Sequence, residues 1–155
     1  MSTNKQQGPQ AKAKRLQREL GAKATDDPAG VLAVLQTARR LLAEGGVLVK
    51  DAWQEQPTGK KPIRYSVMGA LRRAADLAHP KDRDRALWAA QYAIQGALEK
   101  DRTAEYGLAH LDTPIITRWE SHDKVTLDDA LRVYDQAIKN QGRVNIAKSK
   151  AKGRK

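Results

Sequence analysis

The chain has 155 residues, a formal net charge of +11, 40% hydrophobic residues and no cysteine. This length suits one domain of ordinary size with extensions. The composition excludes disulfides and thiolate metal sites. No stretch approaches the ~18 apolar residues of a membrane span, and Met1 to Gln10 has no apolar run that a secretory leader would need. A cytoplasmic or nucleoid-associated protein with no membrane contact is expected.

The charge is unevenly placed. Residues 1–25 carry +5, residues 26–138 carry −1, and residues 139–155 carry +7. The expected organisation is a basic disordered tail over 1–25, a helical domain over 26–140 and a second basic disordered tail over 141–155. In the first tail, Leu16 and Leu20 are the only large apolar residues of the segment 10–20, too few to hold a helix in water.

The body opens on a helix start. Asp27 can cap, and Pro28 fits the first turn, where a missing N–H does no harm. Val31, Val34, Leu35, Ala38, Leu41 and Leu42 then follow at helical spacing. Gly45-Gly46 ends the helix, because glycine readily adopts the left-handed terminal conformation. Val47-Leu48-Val49 is a short extended candidate, residues 55–62 form a Pro/Gly loop, and Ile63 to Tyr65 could pair with 47–49 as a two-stranded ribbon.

Ser66 is placed to cap a second helix over Val67 to Leu77, with Gly69 in its interior. An interior glycine costs up to ~1 kcal/mol relative to alanine, and marks either a close contact or a tolerated substitution. His79-Pro80 breaks the chain before a third, alanine-rich helix from about Asp82 to Glu99. Tyr106, Leu108 and Leu111 could form a further turn, and Thr113-Pro114 leads into a turn carrying Ile115, Ile116 and Trp119. Thr126 caps the last helix, with Asp128 and Asp129 where the helix dipole favours anions. Leu127, Ala130, Leu131, Tyr134 and Ile138 make its apolar face, and Gly142 is read as its end. The sum is an all-α fold, a compact bundle of four to five helices with room for a minimal ribbon.

In that order, Trp53, the run Ser66-Val-Met-Gly69-Ala70-Leu71, Trp119-Glu120-Ser121 and the helix from Thr126 to Ile138 give the body a familiar outline. It resembles a bacterial and phage family known as a domain of unknown function. Members show an amphipathic helix, a Trp soon after it, a Cys-x-x-Gly-Ala-Leu helix start, and a Trp-Asn-Asp turn before a final amphipathic helix. The resemblance covers about residues 31–139 and neither tail. It implies a helical domain and carries no activity. Ser66 stands where the family usually has Cys, and Glu120-Ser121 where it usually has Asn-Asp, so no chemistry of those positions transfers.

No catalytic constellation is legible, and no cofactor is expected. His79, His110 and His122 lack the i, i+3 or i, i+4 partners of a helical metal site. Gly59-Lys60-Lys61 lacks the leading glycine and preceding strand of a phosphate loop. Ser66 has no nucleophile elbow around it. Trp119 follows Ile115 and Ile116 at helical spacing, so core packing is its default. Trp53 and Trp88 are freer to face a partner, and an exposed indole can stack on a base.

The cations point to a polyanion. Lys12, Lys14, Arg15 and Arg18 in the first tail, and Arg143, Lys148, Lys150, Lys152, Arg154 and Lys155 in the second, can neutralise phosphates without fixed geometry. Lys60, Lys61, Arg64, Arg72 and Arg73 form a basic concentration within the body, set against the bland alternative of a solvated surface. Lys81, Arg83 and Arg85 alternate with Asp82 and Asp84. The leading expectation is a non-enzymatic nucleic-acid-associated protein, binding DNA or RNA through its tails. A protein-interaction module, phage-encoded and directed at a host factor, is the second. A small-ligand binder or enzyme built around Trp119, Glu120, His122 and Asp123 is the third.

Overall fold

Helix α1, Pro28–Gly45, turns Val31, Val34, Leu35, Ala38 and Leu42 inward, and all five are buried. Their three- and four-residue spacing is one face of a 3.6-residue helix. Gly46 takes φ +73°, and its N–H donates to the Ala43 carbonyl at 3.2 Å, closing the helix as glycine permits. The computed structural model describes residues 28–50, 52–107 and 115–152. The cap expected of Asp27, and Leu108, His110, Leu111 and Thr113-Pro114, lie outside them.

The ribbon exists with a different partner from the one the sequence suggests. Strand β1, Gln54–Glu55, pairs antiparallel with β2, Arg64–Tyr65, placing Gln54 opposite Tyr65 and Glu55 opposite Arg64. Residues 47–49 contribute a single parallel bridge, Leu48 to Tyr65, with the Val49 N–H donating to the Tyr65 carbonyl at 3.1 Å. The reason is the turn chemistry. Gly59, at φ +77°, lets the loop reverse the chain after β1, which is what antiparallel pairing requires.

Helix α2, Val67–Ala78, starts where expected. The Ser66 hydroxyl accepts the Gly69 N–H at 3.0 Å. A 3-10 turn, Pro80–Asp82, leads into α3, Arg83–Glu99, whose buried Ala86, Ala89, Ala90, Ala93 and Ala97 permit close approach of neighbouring helices. After a 3-10 turn at Ala104–Gly107 come α4, Ile115–Ser121, and α5, Leu127–Lys152. Helix α5 opens on a reciprocal cap. The Thr126 N–H donates to Asp129 Oδ2 at 2.9 Å, and the Asp129 N–H donates to the Thr126 hydroxyl at 3.2 Å.

Helix α5 does not stop at Gly142. Ala137, Gln141 and Val144 continue its inward stripe, and Val144 is fully buried. Burial of that valine offsets the ~1 kcal/mol helix cost of the glycine. The polar Gln141 in the stripe hides this from a hydrophobicity reading. The second basic segment is therefore helical as far as Lys152.

Helix α1 packs against α2, α3 and α5, and so sits at the centre of the core. The Tyr134 hydroxyl on α5 donates to the Val67 carbonyl at 2.8 Å, fixing the start of α2. The result is the expected all-α bundle, five helices among the described residues, with a minimal ribbon. No described helix is long and apolar enough to cross a membrane.

Candidate functional site

The Trp53 loop enters the first turn of α2 backbone first. The Ser66 N–H donates to the Trp53 carbonyl at 3.1 Å. A Cβ added to Gly69 would lie 1.8 Å from that same oxygen. Gly69 is thus a close-contact glycine, because no side chain fits beneath the loop. With its carbonyl pinned, Trp53 is 51% exposed, and the Arg72 guanidinium lies over its ring at 4.4 Å from the centre.

Two cavities share Trp53. The first, about 350 Å³, is lined by Trp53, Gln54, Gly69, Arg72, Arg73, Asp76 and Arg83. Arg83 pairs with Asp76 and with Asp84. Arg72 and Arg73 are exposed, and among the described residues neither has a carboxylate partner.

The second cavity, about 320 Å³, is lined by Lys50, Ala52, Trp53, Ser66, Thr117, Glu120 and Ser121. Its buried carboxyl, Glu120, reaches the start of α2, where the Met68 N–H donates to Oε2 at 3.2 Å. Burial pushes the Glu120 carboxyl up to about 7, outweighing the N–H bonds from Met68 and Val67 and the nearby Lys50 charge. Burial, and then the Glu120 charge, push the Tyr134 hydroxyl up as well. The Lys50 ammonium donates to the His122 carbonyl at 2.7 Å and to the Val125 carbonyl, tying the Trp53 loop to the α4–α5 turn.

The residues expected around Trp119 do not gather in one place. Trp119 is fully buried, its indole N–H donating to the Thr103 hydroxyl at 2.8 Å. His122 stacks on Tyr106 with ring centres 4.3 Å apart, and its Nδ1 accepts the Lys124 N–H. Asp123 is exposed. Of the four, Glu120 lines this second cavity, in company with Lys50, Ser66 and Thr117. Lys50 had no sequence signal: it is a lone cation after an apolar run, and its partners lie more than 70 residues away.

Among the basic residues, Lys60 and Lys61 are exposed on the hairpin loop, while Arg64 is bound to Glu55 at 3.0 Å. Arg143 is exposed on α5, and Lys148, Lys150 and Lys152 lie along the same helix. Arg85 pairs with Asp82 at 3.5 Å. Lys12, Lys14, Arg15, Arg18, Arg154 and Lys155 lie outside the described residues. Among the described residues, no three His, Asp or Glu side chains gather as a metal site would need.

The architecture defines a small helical domain in which one tryptophan loop separates a basic cleft from a polar one built around a buried carboxyl. The chain belongs to the family of unknown function DUF6197, whose family model matches residues 26–140. Neither a curated protein nor a solved structure matches it. Trp53 and Gly69, which match the family outline, and Ser66 and Glu120, where the chain departs from it, all line the two cavities.

Proposed function

We propose that the protein is a nucleic-acid-associated binding protein that acts by contact and not by catalysis, in the cytoplasm or on the nucleoid. The observation behind this is the division of charge: +5 over residues 1–25, −1 over 26–138 and +7 over 139–155. No acidic residue interrupts the sequence from Lys139 to Lys155. Helix α5 carries part of that run to Lys152. At 1.5 Å rise per residue, the cations from Lys139 to Lys152 span roughly 20 Å, a length over which a nucleic acid offers many phosphates. The binding is expected to weaken steeply with salt as counterions are released.

The test is affinity of the full chain for duplex DNA and for RNA across a salt series. Replacing Lys139, Arg143, Lys148, Lys150 and Lys152 together by Gln is expected to lower affinity and flatten the salt dependence. Unchanged affinity and slope in that variant would refute the reading. A protein-interaction role has its own observation. Trp88 and Tyr92 are both exposed on α3, edge to face with ring centres 5.5 Å apart. A stoichiometric protein partner lost on Trp88→Ala would favour that second reading.

A further inference from the structure

We propose that the cleft between Trp53 and the Arg72–Arg73 edge of α2 takes one unpaired nucleotide of a single-stranded nucleic acid. The base would lie against the indole and the phosphate against the guanidinium groups. This rests on the nucleic-acid reading above and names the form of nucleic acid and the place of contact.

The ring is presented, not merely exposed. The Trp53 backbone is held by the Ser66 N–H and seated on Gly69, so half of the indole projects from a fixed anchor. A rigid aromatic surface loses little entropy when a base stacks on it. The ring already attracts a planar cation, Arg72, at 4.4 Å. A nucleobase is planar too, and arginine and an aromatic ring together make a common stacking platform for it.

The charge fits the other half of a nucleotide. Three arginines and one aspartate line the cleft. The single acid, Asp76, is bound by Arg83, so it does not oppose an incoming anion freely. Arg73 offers a planar fork of donors suited to phosphate. The volume of about 350 Å³ lies in the range of sites that hold small ligands, ~300–1,000 Å³.

Two competing occupants explain less. A duplex keeps its bases stacked, so it can offer the cleft phosphates but no free base face. An acidic peptide would satisfy the arginines and leave the indole without a planar partner.

The experiment uses the full chain and a labelled twelve-nucleotide single strand, a duplex of the same length, and polyglutamate as competitor, read by fluorescence anisotropy. Trp53→Ala is expected to weaken single-strand binding about tenfold while changing duplex binding less than twofold, and Trp53→Phe to restore most of the loss. Circular dichroism of both variants confirms that they fold, and Trp53→Phe keeps the test open should the alanine variant unfold. Arg73→Gln is expected to weaken single-strand binding and to flatten its salt dependence.

Equal losses on single strand and duplex, or no loss on either, would overturn the cleft assignment. So would displacement by polyglutamate that depends on Trp53. Failure of the wild-type chain to bind any nucleic acid would overturn this inference and the reading it rests on together. If the α5 lysine variant still binds single strands normally while Trp53→Ala does not, the cleft stands and the terminal-charge reading falls.

Discussion

The two cavities that share Trp53 differ in where their polar groups find partners. In the one beside Glu120, Ser66 caps α2, Lys50 binds two carbonyls and Glu120 accepts N–H groups of the same helix start. In the basic one, Arg72 and Arg73 meet no carboxylate among the described residues, and Trp53 is half exposed. A polar group already bonded within the protein serves folding first, because burying it unpaired would cost free energy. Groups left at an aromatic surface remain available to a partner. The loop thus divides a structural junction from a face whose arginines are left exposed, although both hold the residue types that sequence reading marks as functional.

Gly69→Ala tests the seat of the Trp53 loop directly. The new Cβ would lie 1.8 Å from the Trp53 carbonyl oxygen and 2.7 Å from its carbon, and neither is the movable end of a side chain. A loss of about 3 kcal/mol is expected in urea unfolding, at the upper end of overpacking effects. A change within ~0.5 kcal/mol would show that the loop is free to lift away.

Glu120 gives an effect of similar size, and its sign is informative. Its carboxyl stands at about 7 in the folded chain against 4.5 unfolded, so the folded state binds more protons between those values. Stability should therefore be highest below pH 4.5 with respect to this group and fall as pH rises through 7. The size is roughly 3–3.5 kcal/mol, at ~1.4 kcal/mol per pH unit between those values. Glu120→Gln keeps an acceptor for the α2 start without the titration. Thermal melts at pH 5, 6, 7 and 8 should then lose most of the wild-type slope, and persistence of that slope would place its origin elsewhere.

Asp101 sharpens the comparison, because there ion pairing beats burial. Burial alone would raise its carboxyl, but bonds from Arg132 and Thr103 hold it at about 2. Arg132 reaches it with Nε and Nη2, both at 2.9 Å. The sign is opposite: this contribution is present above pH 3.8 and lost as pH falls through 2. Asp101→Asn should cost roughly 2 kcal/mol at pH 7 and reduce the acid sensitivity measured below pH 4. The smallest effect falls on stability in Trp53→Ala, expected within ~1 kcal/mol, because the carbonyl and not the ring supports the fold. A larger loss would make Trp53 a packing residue and weaken the division between the cavities.

Local signals carry much of the fold. Ser66 and Thr126 cap the helices they precede, the apolar spacing from Val31 to Leu42 is buried, and Trp119 is in the core. The candidate site was legible only in pieces. Arg72 and Arg73 were marked by adjacency and Trp53 by its place beside a loop. Nothing local showed that Trp53 meets Gly69, or that Glu120 turns from His122 and Asp123 towards Met68.

The sequence by itself determined the helices, their caps, the apolar faces and the charge of the ends, because each depends on residues within a turn or two of one another. Tertiary structure alone decided which strand completes the ribbon, that α5 continues past Gly142, and that a cleft forms beside Trp53. Those outcomes rest on contacts such as Glu120 to Met68, 52 residues apart, and on packing that lets buried Val144 outweigh a helix-weakening glycine. The two tails first marked by charge are likewise sharpened: one remains known by composition, while the other is now a helix that carries its lysines as far as Lys152.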